Sequence, residues 1–291
     1  MEGNSVKFLD LFAGIGGFRL GMEMADHECI GYVEWDEYAR KSYEAIHNTN
    51  GEWTEHDITG ITDEQWREFK GEIDVICGGF PCQAFSVAGK KRGFEDTRGT
   101  LFFDAARAIK QIEPRYVFLE NVKGLLNHDD GRTFGTIIST LDELGYDCEW
   151  QIINSKHHGQ PQNRERVFII GHHRSYGNEP VFPIAKTTDG ILRSIQADTS
   201  GKGHKSQQDR FYRIDGIMCT LPNARAKTKC CVVDDEGNFM ILTAKERMRL
   251  QGFPDDATER ALSVVTEEKL CEQAGNSVTV NVIYEIAKQL G

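Results

Sequence analysis

A cysteine in the segment 78–83, Gly-Gly-Phe-Pro-Cys-Gln, is the residue best placed to do chemistry. The apolar run 74–77 before it predicts a short buried strand, and Pro81 fixes the backbone just ahead of Cys82. An open α/β sheet binds its ligands at the carboxyl ends of its strands, which is where Cys82 would lie. Only about 3% of an ordinary thiol is ionised at neutral pH, so a nucleophilic cysteine needs positive charge or helix dipoles nearby. A packed, unreactive thiol would explain Cys82 equally well if nothing else were known.

Two further polar clusters are expected at the same edge of the sheet. Glu120 ends the apolar strand 116–119, and Gln162, Arg164 and Arg166 alternate along the start of another strand, which aims them to one side. A thiolate, a carboxylate and two guanidinium groups around one crevice suit a polar heterocycle. The thiolate would attack a ring carbon, the carboxyl group would protonate a ring nitrogen, and an arginine would hold a carbonyl oxygen. An ion pair between Glu120 and one of the arginines is the structural alternative, and it does not exclude catalysis.

A glycine-rich turn follows the first apolar strand and opens a helix. Its residues 12–17, Phe-Ala-Gly-Ile-Gly-Gly, have G-x-G-G spacing, so the dinucleotide fingerprint is incomplete. Glu34, at the end of the second strand, could accept hydrogen bonds from ribose hydroxyls. The neighbouring Trp35 could stack on an adenine, and Asp57 could bind the exocyclic amine of that base. A tight turn, a surface pair and a helix cap are the structural alternatives. Together the three features indicate an adenosine-containing cofactor, either NAD or S-adenosylmethionine.

Short apolar runs alternate with helical patterns through residue 172 and predict the elements that position these side chains. We expect strands at 7–11, 29–33, 73–77, 116–120, 148–154 and 166–171, and helices at 17–24, 37–48, 63–69, 101–112 and 132–144. This alternation is typical of an α/β fold with a doubly wound, mainly parallel sheet. From 173 to about 238, short segments punctuated by Pro, Thr and Gly predict a smaller, β-rich or irregular insert. A capping box at Thr243 and Glu246 predicts a helix over 243–251, and 278–290 resembles a last amphipathic helix.

Composition predicts an ordinary globular protein of one large or two modest domains. The chain has 291 residues, of which 39% are hydrophobic and 27% are charged. We find no apolar run long enough to span a membrane and no basic region of a signal peptide at the N-terminus, so we expect a cytoplasmic protein. The eight cysteines are scattered and form no Cys-x-x-Cys pair, which argues against a zinc site and a disulfide framework.

Charge is unevenly distributed along the chain. The formal net charge is −11, yet residues 193–231 carry eight Lys or Arg against three Asp, a local balance of +5. A basic, glycine-containing segment on an acidic body is a candidate phosphate-contacting surface. Taken alone, a solvated basic loop is the simpler explanation.

The order of these motifs resembles that of the DNA (cytosine-5) methyltransferases of bacteria and phages. Matching segments run nearly end to end: 12–17, Glu34-Trp35, Asp57-Ile58, 80–83, 98–102, 120–122, 162–166, 249–254 and 275–278. The insert at 186–240 resembles the family only loosely, as expected of the part that reads DNA sequence. His56 stands where the family usually has a glycine.

The resemblance implies a fold, a domain division and a reaction. The fold is Rossmann-like, with a catalytic and cofactor-binding domain at 1–185 plus 266–291 and a smaller target-recognition domain with a hinge at 186–265. The reaction is methyl transfer from S-adenosyl-L-methionine to C5 of a cytosine flipped out of duplex DNA, leaving S-adenosyl-L-homocysteine. The implied partners are double-stranded DNA and a cognate restriction endonuclease. We expect a monomer that needs neither a metal nor a membrane.

The resemblance also assigns roles to individual residues. Cys82 would add to C6 of the cytosine, Glu120 would protonate or hydrogen-bond N3, and Arg166 would hold O2. Arg164 would support Glu120 and Cys82. The implied cofactor contacts are Phe12, Gly14, Gly16, Gly17, Glu34, Trp35, Asp57, Ile58, Pro81, Leu101, Asn276, Ser277 and Val278. The implied DNA contacts are Ser86, Lys90, Arg98, Gln162, Arg210 and Thr220. The segment 86–93 would be a loop that closes over DNA, and a merely solvated basic loop is the alternative there.

Three other functions remain open at this point. A tRNA cytosine-5 methyltransferase would keep the same core motifs, and an inactive DNA-binding relative would keep the fold. An NAD-dependent dehydrogenase would explain the glycine turn but not Pro81-Cys82. Amino-group methyltransferases are disfavoured because their Asn/Asp-Pro-Pro-aromatic motif is missing from the sequence.

Overall fold

The computed structural model describes residues 5–81, 101–177, 179–187, 196–197, 211–213, 216–222, 231–233, 236 and 238–291. Within these residues, seven strands form one sheet in the order β3-β2-β1-β4-β5-β8-β6. They are β1 (Lys7–Leu11), β2 (Glu28–Val33), β3 (Trp53–Glu55), β4 (Val75–Gly79), β5 (Tyr116–Val122), β6 (Tyr146–Asn154) and β8 (Glu165–His173). Strand β8 runs antiparallel to both its neighbours, and the other pairs are parallel. The predicted α/β fold with a mainly parallel sheet is confirmed.

Helices cover both faces of the sheet. They are α1 (Gly17–Glu23), α2 (Glu37–Ile46), α3 (Asp63–Arg67), α4 (Leu101–Ile112), α5 (Arg132–Glu143), α6 (Ala244–Leu250), α7 (Asp255–Leu262), α8 (Glu267–Asn276) and α9 (Val280–Ala287). The apolar faces of α3, α4 and α5 form one core with one side of the sheet. Helices α1 and α9 form a second core with the other side. Because β-strands alternate their side chains, each central strand contributes to both cores.

Helices α6 and α7 pack on the catalytic body, and Leu250 of α6 also contacts the apolar cluster of the insert. Met248 of α6 and Ala257 of α7 share an apolar cluster with Ile15 and Ile46, which lie beside the glycine-rich turn. The predicted capping box of α6 is present, with the Thr243 side chain accepting from the Glu246 backbone. These two helices, which lie within the predicted segment 186–265, thus share a core with the cofactor side of the fold.

The insert contributes short strands. In its described part, β9 (Gln196–Ala197), β10 (Phe211–Arg213), β12 (Cys231–Val233) and β13 (Phe239–Ile241) form a separate sheet in the order β13-β12-β10-β9. Strand β11 (Met218–Cys219) instead pairs with β7 (Gln162–Asn163), which immediately precedes β8. The insert is β-rich, as predicted, and one of its strands is bonded to the catalytic body.

The carboxyl ends of the parallel strands converge at one edge. Gly79 of β4 is paired with Glu120 of β5, and Gly78 is paired with Leu11 of β1. The cofactor turn and the predicted catalytic carboxylate therefore lie at the same edge of the sheet. Among the described residues, none of the helices has the length and apolar character needed to cross a lipid bilayer.

Candidate active site

The glycine-rich turn has a backbone that ordinary residues rarely adopt. Phe12, Gly14 and Gly16 have φ angles of 56°, 57° and 81°. A phenylalanine in the left-handed region costs about 1–3 kcal/mol and persists only where the surrounding structure enforces it. At Gly16, a β-carbon would lie 2.1 Å from the Nε2 atom of His47, so this position excludes every larger residue.

Glu34 holds the turn from the end of β2. Its Oε2 atom accepts a hydrogen bond from the Gly14 backbone N–H at 2.7 Å, and its Oε1 atom accepts one from the Asp36 N–H at 2.8 Å. Burial raises the pKa of the Glu34 carboxyl above its ordinary value, with the two backbone donors acting in the opposite sense. The carboxylate is therefore fixed in orientation before any ligand binds.

A cavity of ≈ 390 Å³ opens beside this turn. Its size lies within the range of small-molecule and cofactor sites. Many of the residues predicted to contact the cofactor line this cavity: Phe12, Gly14, Glu34, Trp35, Asp57, Ile58, Pro81, Leu101, Asn276 and Ser277. The structure thus brings together residues from β1, β2, β4 and the C-terminal helices that are up to 265 positions apart in the chain.

Three predicted cofactor contacts lie outside the cavity lining. Gly16 packs against His47, and a β-carbon on Gly17 would lie 2.7 Å from the Ser277 Oγ atom. Val278 is buried in the core beneath α1 and α9. These residues bring the turn and the C-terminal segment into close contact, which shapes the cavity without forming its wall.

The cavity is acidic. Glu34, Asp36, Asp57 and Glu272 contribute carboxylates to its lining, whereas Lys269 contributes a single primary amine. Such a cavity favours a ligand with positive charge and disfavours the pyrophosphate of a dinucleotide.

Two predicted base-binding residues lie at the wall of the cavity. The Trp35 side chain is 74% exposed, so its indole face is available for stacking. The Oδ1 atom of Asp57 accepts from the Thr59 backbone N–H at 2.9 Å and from the Thr59 hydroxyl at 2.8 Å. Asp57 is thus the helix cap considered from the sequence, and it also lines the cavity.

Helix α8 supplies lining residues that the sequence did not reveal. Lys269, Glu272 and Gln273 lie one to two helical turns before Asn276, and all four line the cavity. Residues separated by three, four and seven positions share one face of a helix. Had 267–276 been recognised as helical, that spacing from the Asn276 motif would have identified them.

Glu120 lies at the end of β5 and is 8% exposed. The Nε atom of Arg166 lies 2.9 Å from Glu120 Oε1. This contact is an ion pair without hydrogen-bond geometry, since within the described residues Oε1 has no hydrogen-bond partner. The Oε2 atom faces Gly79, where a β-carbon would approach it to 3.1 Å. The carboxylate therefore faces the strand end that leads into Cys82 and retains unused acceptor capacity.

Arg164 is buried at 2% exposure and extends toward the cofactor side. Its guanidinium donates to the backbone carbonyls of Gly275 at 3.3 Å and Ser277 at 2.6 Å. Burial, followed by the neighbouring Arg166, lowers the pKa of Arg164 to about 9, while Glu120 acts in the opposite direction. Arg164 stays protonated at neutral pH, and it joins the carboxylate site to the wall of the cofactor cavity.

Asn121 has a positioning contact that the sequence did not predict. It is 3% exposed, and its Nδ2 atom donates to the Phe80 carbonyl at 2.8 Å. Phe80 is two residues before Cys82, so the bond fixes the direction in which the chain enters the cysteine segment. The neighbouring motif residue Glu120 was the available signal, because both residues end the same strand.

Gln162, which the sequence predicts as a DNA contact, is buried in this structure. It is 0% exposed, its Nε2 atom donates to the Leu250 carbonyl, and its Oε1 atom accepts from the Leu221 N–H. Both ends of the amide are therefore bonded to protein. Thr220 lies beside it, with its hydroxyl donating to the Asn163 carbonyl at 2.9 Å.

Other predicted site residues lie outside the described part of the chain: Cys82, Ser86, Lys90, Arg98, Arg210 and the loop 86–93.

Two described cysteines, Cys29 and Cys77, are packed, buried thiols. Burial raises the pKa of Cys29 to about 12 and also raises that of Cys77. Among the described residues, no group of three or more His, Cys, Asp or Glu side chains is arranged to hold a metal ion.

The sequence matches the family model described as C-5 cytosine-specific DNA methylase over residues 6–214 and 189–291. The chain belongs to this family. It is 39% identical to the type II methyltransferase M.HpaII of Haemophilus parainfluenzae over 97% of this chain and 88% of that protein. It is 33% identical to M.HhaI of Haemophilus parahaemolyticus over 98% of this chain and 94% of that protein.

Solved structures show the same fold. The Dnmt2 methyltransferase of S. pombe superposes with a TM-score of 0.73 at 20% identity, covering 98% of each chain. Family membership confirms the predicted resemblance and the enzyme class, DNA (cytosine-5-)-methyltransferase, which acts with a methyl donor. It also excludes the dehydrogenase considered from the glycine turn.

Proposed function

We propose that this enzyme transfers the methyl group of S-adenosyl-L-methionine to C5 of a specific cytosine in duplex DNA through a covalent bond between Cys82 and C6. The observation that carries the proposal is the position of Glu120. Its carboxylate is paired with Arg166 and faces Gly79, which precedes Cys82 by three residues and lines the acidic cofactor cavity. The closeness of this carboxylate and the cavity at one edge of the sheet supports a site for both substrates.

The acidic cavity supports S-adenosylmethionine as the donor. Glu34 is oriented by two backbone N–H groups and keeps lone pairs for ribose hydroxyls, and Trp35 offers an exposed ring to adenine. Asp57, whose Oδ1 atom caps the following turn, has a second oxygen for the adenine amine. The bound cofactor supplies an electrophilic methyl group at C5, and S-adenosyl-L-homocysteine is the product released from the cavity.

The protein's part is to make C5 nucleophilic. The Cys82 thiolate forms a bond to C6. The electrons of the C5–C6 double bond then shift toward N3, where Glu120 delivers a proton or a hydrogen bond, and C5 becomes enamine-like. Arg166 holds the cytosine O2 and favours the thiolate in this proposal, and its ion pair with Glu120 supports that role. After methylation, a base or water removes the C5 proton, the C6–sulfur bond breaks, and aromaticity returns.

Arg164 supports this site from the cofactor side. Its bonds to Gly275 and Ser277 hold the guanidinium near Glu120 and connect it to a lining segment of the cavity. We assign it the supporting role predicted from the motif, exerted through charge and through the position of β8.

Access to C5 requires that the cytosine leave the base stack, at about a few kcal/mol. Ser86, Lys90 and Arg98 are proposed phosphate contacts after the nucleophile, and Arg210 and Thr220 are proposed contacts of the insert, which would act as the target-recognition domain. A phosphate-dominated interface predicts binding that weakens steeply as salt rises. We further propose that the enzyme works as a monomer in the cytoplasm, beside a cognate restriction endonuclease.

Bisulfite sequencing of plasmid DNA from cells expressing the protein tests this function. We expect protected cytosines at one short recurring sequence, and no protection in cells expressing Cys82→Ser. In parallel, purified protein is offered duplex DNA and tRNA with radiolabelled donor. Label in tRNA alone would favour the tRNA alternative, and label in neither substrate would favour an inactive DNA-binding relative.

A further inference from the structure

The insert is hydrogen-bonded directly to the strand that leads to the catalytic arginines. Strand β11 of the insert pairs in parallel with β7, placing Met218 opposite Gln162 and Cys219 opposite Asn163. The Met218 N–H donates to the Pro161 carbonyl at 2.8 Å, outside the β7 strand itself. The segment most directly joined to the insert thus ends one residue before Arg164.

Gln162 is the central side chain of this junction. Its Oε1 atom accepts from the Leu221 N–H of the insert at 3.1 Å, and its Nε2 atom donates to the Leu250 carbonyl at the end of α6 at 3.1 Å. Its own carbonyl accepts from the Arg164 N–H at 3.0 Å. The residue therefore contacts the insert, α6 and the arginine strand at once, and it is fully buried.

Buried amides are stable only when they are fully hydrogen-bonded. A side chain of similar length without polar atoms at position 162 would leave the Leu221 N–H and the Leu250 carbonyl without these partners. A neutral buried network of this kind specifies one arrangement of its members more strongly than apolar packing does. This amide, together with the pairing of β11 and β7, therefore holds the insert beside the segment that leads to Arg164.

A second buried amide continues the network toward the cofactor cavity. Gln251, adjacent to Leu250, donates to the Ala274 carbonyl at 2.8 Å and accepts from the Thr279 hydroxyl at 3.1 Å. The Thr279 hydroxyl also contacts the Ser155 hydroxyl at 2.8 Å. The Ser155 N–H donates to the Arg164 carbonyl at 3.1 Å, which returns the network to the catalytic strand.

We propose that Gln162 is a positioning residue that links engagement of DNA by the insert to the placement of Arg164 and Arg166 beside Glu120. The inference rests on the proposed function. Gln162 touches neither DNA nor cofactor, because it is buried and both ends of its amide are bonded to protein. Its loss should therefore slow methyl transfer at saturating substrates while leaving cofactor affinity intact.

The test compares Gln162→Met with Gln151→Met in single-turnover methylation at saturating DNA and cofactor. Gln151 is a control because its amide also makes two bonds to backbone, both to Ile184, at 3.3 and 2.8 Å, and neither bond is to β11, α6 or the arginine strand. We expect Gln162→Met to lower the rate constant about tenfold or more, with the cofactor Kd within about twofold of wild type. Gln151→Met should stay within about twofold of wild type in both measurements.

Three results would overturn the inference. One is a folded Gln162→Met that methylates at the wild-type rate. Another is an equal loss of rate in both variants, which would indicate general destabilisation. The third is an equal loss of cofactor affinity. If Gln162→Met does not fold, Gln162→Glu keeps the acceptor for the Leu221 N–H and is judged by the same rate and Kd criteria. A wild-type enzyme that methylates no DNA would refute the proposed function instead.

Discussion

Replacing Glu34 by glutamine tests the cofactor end of the site with a change of one atom. Both carboxylate oxygens accept backbone hydrogen bonds, one from Gly14 at 2.7 Å and one from Asp36 at 2.8 Å. Glutamine offers one acceptor oxygen, and its NH₂ group would face a backbone N–H. One of these two donors, of which the Gly14 N–H is partly buried and the Asp36 N–H is exposed, then loses its partner, and the acidic cavity loses a negative charge.

The expected magnitudes follow from these two losses. Because water can reach these donors in part, the lost hydrogen bond should cost about 1 kcal/mol, which in a chain of this size lowers Tm by roughly 2–4 °C. A hydrogen bond to a charged acceptor contributes about 1.5–3 kcal/mol, so the affinity for S-adenosyl-L-homocysteine should fall about 10- to 100-fold. Because burial raises the pKa of Glu34, protonation should weaken wild-type binding as pH falls, beginning at a higher pH than an ordinary glutamate would give. The variant should lack this contribution.

Thermal unfolding and titration calorimetry with S-adenosyl-L-homocysteine measure both effects. Glu37→Gln is the matched control: the Glu37 side chain is 64% exposed and pairs with Lys41 at 2.6 Å. We expect the control to keep the wild-type Kd and a Tm within about 2 °C. If Glu34→Gln matched the control in both quantities, the reasoning about this carboxylate would be refuted.

Two further substitutions test how the strand ends are built. A β-carbon on Gly78 would lie 2.2 Å from the Leu11 carbonyl oxygen, so Gly78→Ala should lower the free energy of unfolding by about 1–3 kcal/mol or more. The control is Gly124→Ala: a β-carbon on Gly124 meets nothing within 4 Å, so this variant should change the free energy of unfolding by less than about 0.5 kcal/mol. Urea unfolding of both variants measures this, and equal midpoints would contradict the packing argument. Asn121→Asp places a carboxylate oxygen against the Phe80 carbonyl and should lower the single-turnover methylation rate about tenfold, so an unchanged rate would show that this contact does not position the cysteine segment.

Sequence patterns predicted the helices and strands correctly where the local preference of a segment agrees with its packing in the whole fold. The apolar runs of β1 and β5 and the capping box at Thr243 appear in the structure as predicted. Helices α7 and α8 were not predicted from the sequence, although both have helix-start signals. Asp255 gives α7 an acidic first turn, and α8 has Thr266 as its N-cap and Glu267 in its first turn. Their amphipathic patterns are short, and α7 follows a proline, so only the packing of α7 and α8 against α2 and α6 makes them evident.

The orientation of Gln162 could not be derived from alternation along a strand. Alternation predicts that Gln162, Arg164 and Arg166 point to one side, but the backbone turns between β7 and β8, with the Arg164 N–H bonded to the Gln162 carbonyl. Gln162 therefore contacts α6 and the insert, whereas Arg164 contacts the segment 275–277. Such a turn depends on tertiary contacts with residues about 60 to 110 positions away, which no local pattern contains.

The central claim is that Cys82 bonds transiently to an extruded cytosine while Glu120 holds the ring nitrogen. The most direct measurement is mass spectrometry of the enzyme after incubation with cofactor and duplex DNA carrying 5-fluorocytosine at the target position, where fluorine blocks loss of the C5 substituent. The account predicts a stable enzyme–DNA adduct attached at Cys82 in wild type and none in Cys82→Ser. An adduct that persisted in Cys82→Ser, or that mapped to another residue, would contradict it.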